Sequence, residues 1–125
     1  MIKIALDVMG GDNAPLSNLK GAIDFIIENE DATLILVGDE ILINKYINSL
    51  ANKNTISKSI EIIHSTQIVD DNDKPSRITK TKPNSSMVLS IDLLKQKNVN
   101  AIVSAGNTGC LLASSLFTIG KINGI

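Results

Sequence analysis

Aromatic side chains are nearly absent from this 125-residue chain: Phe25, Tyr46 and Phe117 are the only three. Bases therefore have no rings to stack on. Twelve Lys and Arg stand against thirteen Asp and Glu, for a formal charge of -1, which leaves no global field to draw in nucleic acid or an anionic membrane. Any anion site has to be local. A single cysteine, Cys110, forms no internal disulfide and provides no metal site by itself, in keeping with a reducing compartment. Apolar runs are short; the segment Ile23 to Ile27 is broken by Asp24, and nothing approaches the roughly 20 residues of a membrane span. The start, Met1-Ile2-Lys3-Ile4-Ala5-Leu6, enters a strand pattern directly, without the basic head and long apolar stretch of a secretory signal. A cytoplasmic location is expected.

What the chain does have is aliphatic residues in a regular rhythm. With 43% hydrophobic and 20% charged residues it can build one domain with a core. Ile2 to Val8 reads as a short buried strand that stops at the turn-forming Met9-Gly10-Gly11-Asp12-Asn13. Pro15 at a first helical position, with Asn13 or Ala14 before it, opens a helix to about Asn29, carried by Leu19, Ala22, Ile23, Phe25, Ile26 and Ile27. Thr33 to Val37 gives a second strand, ended by Gly38-Asp39, and Ile41 to Leu50 a second helix. A polar linker, Asn52 to Ser59, leads to a third strand, Ile60 to His64, and then to the longest loop candidate, Ser65 to Pro83. Asn84-Ser85-Ser86 offers capping oxygens to a third helix that ends near Lys95 and Lys97. Val99 to Ser104 is the fourth strand, and Thr108 to Ile119 the fourth helix, with Gly120 placed to stop it. Four strand-helix units in succession predict an α/β fold: a parallel sheet with helices on both faces, because each crossover returns right-handed to the same sheet.

In such sheets ligands meet the loops at the carboxyl ends of the strands, where backbone N–H groups and helix N-termini are exposed. Two loops stand out. Gly10, Gly11, Asp12 and Asn13 follow the first strand, and the paired glycines allow an anion to approach the backbone. A plain strand-to-helix turn capped by Asn13 is the competing reading. Ser104-Ala105-Gly106-Asn107-Thr108-Gly109 follows the fourth strand, with two hydroxyls, an amide and the positive end of a helix behind it. Here the alternative is ordinary capping by Asn107 or Thr108. Neither loop matches GxGxxG or GxxxxGK[ST], so the usual dinucleotide and nucleotide readings lose their support.

Taken together, Asp7-Val8-Met9-Gly10-Gly11-Asp12-Asn13-Ala14-Pro15 and Ser104 to Gly109 resemble the two N-terminal signatures of the PlsX phosphate acyltransferases. Leu36-Val37-Gly38-Asp39, Asn84-Ser85-Ser86-Met87 and Leu116-Phe117 through Ile125 resemble further family segments in the right order, so the likeness spans the whole chain. Two positions depart from the pattern: Cys110 stands where the family has alanine, and Pro83 interrupts a basic stretch.

The resemblance implies an isocitrate/isopropylmalate dehydrogenase-like architecture and transfer of an acyl group from acyl carrier protein to inorganic phosphate, giving acyl phosphate for phospholipid and fatty acid metabolism. It further implies a cytoplasmic homodimer, with peripheral membrane contact through segments beyond residue 125. Residues 1-125 are then expected to be the N-terminal part of a longer enzyme and to be inactive alone. A phosphotransacetylase-like enzyme using acyl-CoA, and a noncatalytic anion- or nucleotide-binding module, are the competing readings.

Phosphate is itself the nucleophile in this reaction, so no acyl-enzyme residue is required and positioning dominates. The candidate phosphate and oxyanion groups are Gly10, Gly11, Asp12, Asn13, Ser85, Ser86, Ser104, Gly106, Asn107, Thr108 and Gly109. Arg77 and Lys82, among the cations of the long loop, are candidates for recruiting phosphate or the acidic carrier, set against a reading in which Asp70, Asp71 and Asp73 balance them. No general base, cofactor or metal is assigned. Asp7, Asp12 and Asp39 read as turn and capping groups, His64 as structural, and Cys110 as dispensable despite its place in the first turn of a helix.

Overall fold

The computed structural model describes residues 1–124; Ile125, the last residue of the terminal family-like segment, lies outside them. The first strand, β1 (Ile2–Asp7), buried at Ala5 and Asp7 and exposed at Ile2, leads through a glycine turn into α1 (Leu16–Glu28), and β2 (Ala32–Gly38) into α2 (Glu40–Asn48). The expected linker winds into one helical turn, α3 (Lys53–Ile56), and a tighter turn, Ser57–Ser59, because Ile56 is buried at 2% exposure and anchors it. Then come β3 (Ile60–His64), a single turn α4 (Ile78–Thr81) inside the long loop, α5 (Ser86–Lys95), β4 (Ala101–Ser104) and α6 (Thr108–Thr118).

The four strands form one parallel sheet in the order β3-β2-β1-β4, so the α/β expectation is met. Strand alternation splits the core into two faces. Leu34 and Leu36, with the flanking Ile4, Leu6 and Ile62, pack under Leu19, Ala22 and Ile26 of α1 and Ile43 and Ile47 of α2. Ala5, Ile35 and Val37 point the other way, onto Leu89, Leu93 and Leu94 of α5. β2, covered on both sides, is buried at every position, as its unbroken apolar run requires. A third cluster joins Val88 and Ile91 of α5 to Cys110 of α6, Ile78 of α4 and Val69 of the long loop, which is how that loop is held down.

The differences from the sequence expectation have local causes. Asn13 does not cap α1: Pro15 occupies the cap position with no side-chain hydrogen bond, while the Asn13 carbonyl accepts from the Ser17 N–H. β4 starts at Ala101, not Val99, because Asn100 pairs with Lys3 through its own side chain as well as its backbone (2.8 Å each). Just past the end of α5, Lys97 turns the chain in the left-handed region (φ 61), and Gly120 (φ 88) closes α6 as expected. Asp39 caps α2, Ser85 caps α5 and Asn107 caps α6, each accepting from a first-turn N–H. No helix among the described residues is long and apolar enough to cross a membrane.

Candidate functional site

The order β3-β2-β1-β4 makes the chain reverse its direction of travel across the sheet between β1 and β4. α1 and α2 lie on one face and α5 on the other. The loops after β1 and β4 therefore lie side by side at the carboxyl ends of the strands and border a crevice there, the usual place for a ligand in an open α/β sheet. Both glycine loops belong to these two strands. Their backbones touch: a Cβ added to Gly10 would lie 3.0 Å from the Gly106 nitrogen, and one on Gly11 (φ 100) would lie 3.0 Å from the Ala105 carbonyl oxygen.

A cleft of about 630 Å³ opens over this contact, with Gly11 and Asp12 on one wall and Gly106, Asn107, Thr108 and Gly109 on another. Residues 68–71 of the long loop close a third side. Thr108 and Gly109 are the first two residues of α6, so their N–H groups have no partner within the helix, and Asn107 Oδ1 takes only that of Cys110 (3.1 Å). Two orphan donors and the positive end of an 11-residue helix thus face the cleft.

Other polar groups of the rim are engaged in the fold. The Ser86 and Ser104 hydroxyls both donate to the Asp7 carboxylate, and Ser104 Oγ also accepts the Gly106 N–H (3.1 Å). Ser85 is fully buried as the α5 cap, Gly10 is buried behind the cleft, and Asn13 stands outside its lining. Asn18 belongs to neither glycine loop and carries no sequence motif. From α1 its Nδ2 donates to both the Val8 carbonyl (2.8 Å) and the Gly10 carbonyl (2.7 Å), pinning the first glycine turn.

The cleft lining holds three carboxylates, Asp12, Asp70 and Asp71, and neither Lys nor Arg. Arg77 is exposed on the far part of the long loop. Lys82 is committed: its Nζ lies 2.6 Å from Asp73 and 3.7 Å from Asp70, and it donates to the Ile68 carbonyl (2.6 Å). The hydrogen bond that Lys82 donates to Asp73 outweighs burial and holds the Asp73 carboxyl below its ordinary range, while Asp73 pushes the Lys82 ammonium up. With its folded value lowered, Asp73 contributes stability that is present above about pH 4 and lost as pH falls through that lowered value. Lys82, raised, contributes below about pH 10 and loses its share as pH climbs through the raised value. Lys82→Met is expected to remove about 1 kcal/mol at neutral pH and to flatten the fall in melting temperature between about pH 5 and pH 2. An acid limb as steep as that of the parent chain would show that the pair does not fasten the loop.

Cys110 is fully buried beneath the loop, its Sγ 3.6 Å from the Asp73 carbonyl. Burial first, and Asp73 second, push its thiol up, the reverse of what an attacking thiolate needs. In the full-length protein Cys110→Ala is expected to leave turnover unchanged while costing about 1–2 kcal/mol of stability through lost packing, read from initial rates and thermal melts. A large rate loss at unchanged stability would restore the thiol to the chemistry. His64 accepts the Glu40 N–H on Nδ1 (3.1 Å) and so ties the end of β3 to the start of α2.

The family model described as "Fatty acid synthesis protein" matches residues 2–125. Proteins named "Phosphate acyltransferase" align over 124 residues, 99% of this chain: 44% identical in Clostridioides difficile (strain 630), 39% in Brevibacillus brevis and 41% in Dictyoglomus turgidum. The chain spans 35–36% of the length of these relatives.

Proposed function

The chain belongs to the fatty acid synthesis protein family, and from that membership we propose that it forms the N-terminal wall of the active site of a phosphate acyltransferase. The reaction is attack by an oxygen of inorganic phosphate on the carbonyl of an acyl thioester carried by acyl carrier protein. A C–O bond forms, the C–S bond breaks, and the carrier leaves as thiol with the proton that phosphate loses. Acyl phosphate for phospholipid synthesis is the product, made in the cytoplasm by a homodimer. One observation carries this reading: two glycine loops meet at one cleft at the point where the sheet reverses, and the unpaired N–H groups of Thr108 and Gly109 open onto it.

The chemistry fits donors of this kind. Binding phosphate too tightly would hold back its attack, since only contacts that strengthen in the transition state raise the rate. Backbone N–H groups of Gly11, Thr108 and Gly109 supply directed partial charges without a neutralising side chain. Asp12, Asp70 and Asp71 weaken the hold further, and Lys82 acts on the anion only indirectly, by offsetting Asp70 and Asp73.

The test is acyl transfer by the purified full-length protein, with release of free thiol and formation of hydroxylamine-reactive acyl phosphate as paired readouts. Both signals should rise together with phosphate when acyl carrier protein bears the acyl group. Equal or better rates with acyl-CoA would move the assignment to a phosphotransacetylase-like enzyme. Phosphate binding without turnover of either thioester would leave only an anion-binding module.

A further inference from the structure

Among the described residues Asp7 is the only buried carboxylate, with 1% of its surface exposed. None of the ion pairs in the described residues reaches it. It sits at the end of β1 on the face turned toward α5, and it draws donors from three separate segments. Ser86 Oγ at the start of α5 donates to Oδ1 (2.5 Å), Ser104 Oγ at the end of β4 donates to Oδ2 (2.8 Å), and the Met9 N–H of the first glycine turn donates to Oδ1 (3.2 Å). Ser104 Oγ in turn accepts the Gly106 N–H.

Fold stability alone does not call for a charge here, because apolar packing of the same volume commonly serves a buried site as well or better. What a carboxylate adds is short, charge-assisted hydrogen bonds that fix the hydroxyls in one orientation. Those hydroxyls lead straight to the glycine loops. We propose that Asp7 is a positioning residue for the anion: through Met9 it sets the first glycine turn, and through Ser104 it sets the Gly106 peptide, so that one carboxylate fixes the spacing of the donors across the cleft. This rests on the cleft being the phosphate site. Asp7 touches no substrate and acts only through the backbone it holds.

Asp7→Asn in the full-length protein keeps the shape and leaves each serine a partner, but removes the charge that orders them. Phosphate KM is expected to rise about tenfold, the effect of weakening a charge-assisted bond, with a smaller change in kcat and none in KM for the acyl carrier. Ser104→Ala should reproduce the phosphate effect, Ser104→Thr should restore it, and the double variant Asp7→Asn/Ser104→Ala should be no worse than Asp7→Asn alone. A merely structural role would instead lower the melting temperature and the active fraction and leave the phosphate KM untouched. An unchanged phosphate KM in either single variant, or effects that multiply in the double variant, would overturn the assignment. If Asp7→Asn does not fold, the Ser104→Ala and Ser104→Thr pair decides by the same KM criterion. Calorimetric titration of wild type and Asp7→Asn with inorganic phosphate keeps this question apart from the reaction. A wild type that binds phosphate about tenfold more tightly than the variant supports Asp7 even if no thioester turns over, whereas equal binding sinks it.

Discussion

Gly10→Ala in the full-length protein is expected to lower kcat/KM for phosphate by about 10²–10³-fold while the protein stays folded. The reason is where the added methyl group would lie. A Cβ at this position comes 2.6 Å from Asp7 Oδ2 and 3.0 Å from the Gly106 nitrogen. The Asp7 carboxylate is not a free side-chain end that can swing aside, being held by two serine hydroxyls and a backbone N–H. The Gly106 nitrogen is backbone and already bonded to Ser104. The loops must therefore separate by some tenths of an ångström, and either the Asp7–Ser104 bond or the alignment of the donors is lost. Displacing one oxyanion donor costs about 3 kcal/mol in established cases, and here the donors move as a set. Initial rates against phosphate, with circular dichroism to confirm the fold, provide the check. A variant with wild-type kcat/KM would mean that the two loops need not touch for the site to work.

The sequence makes much of this fold legible because two periods carry it. The short unbroken run Thr33 to Val37, closed by Gly38, reads as a strand covered on both faces, and the helical spacing from Leu19 to Ile26 as an amphipathic helix, and both appear where expected. Short turns such as Lys53–Ile56 and Ile78–Thr81 are different, since a single buried isoleucine holds each and one residue has no period. The site divides in the same way. Glycines at the ends of β1 and β4 mark the cleft, because close backbone approach needs them. The serines are ambiguous in sequence, for a hydroxyl beside a glycine loop serves a ligand or a buried acid equally well. What assigns Ser86 and Ser104 is the face of Asp7, and a signal for it does exist: Asp7 follows Ala5 in the alternation that points toward α5, an inward place where a carboxylate needs partners. The enclosing wall of residues 68–71 has no such signal, since its position depends on packing of Val69 and Ile78 against α5 and α6 across the molecule.

Asn18→Asp is expected to lower phosphate-dependent turnover by about 10²-fold, an effect larger than that of Asn18→Ala. In sequence this residue is an unremarked polar position in the first turn of α1, where asparagine is neither favoured nor excluded. In the structure both hydrogens of its amide are used, one on the Val8 carbonyl and one on the Gly10 carbonyl, so a single side chain holds the two ends of the glycine turn against the helix. Aspartate has the same shape but is acceptor-only when ionised, and its oxygens would face two carbonyl oxygens at about 2.7–2.8 Å. Attraction becomes repulsion without any change in volume. Alanine merely leaves the two carbonyls open to water, since Asn18 is only partly buried. The order of effects, Asp worse than Ala and Ala worse than wild type, therefore separates a hydrogen-bond clamp from simple space filling, for which Asp would be the milder change. Turnover at saturating acyl donor, measured with melting temperature for all three proteins, decides it; Asn18→Asp matching wild type would show that the turn holds itself and that the anion donors of Gly11 need no support from α1.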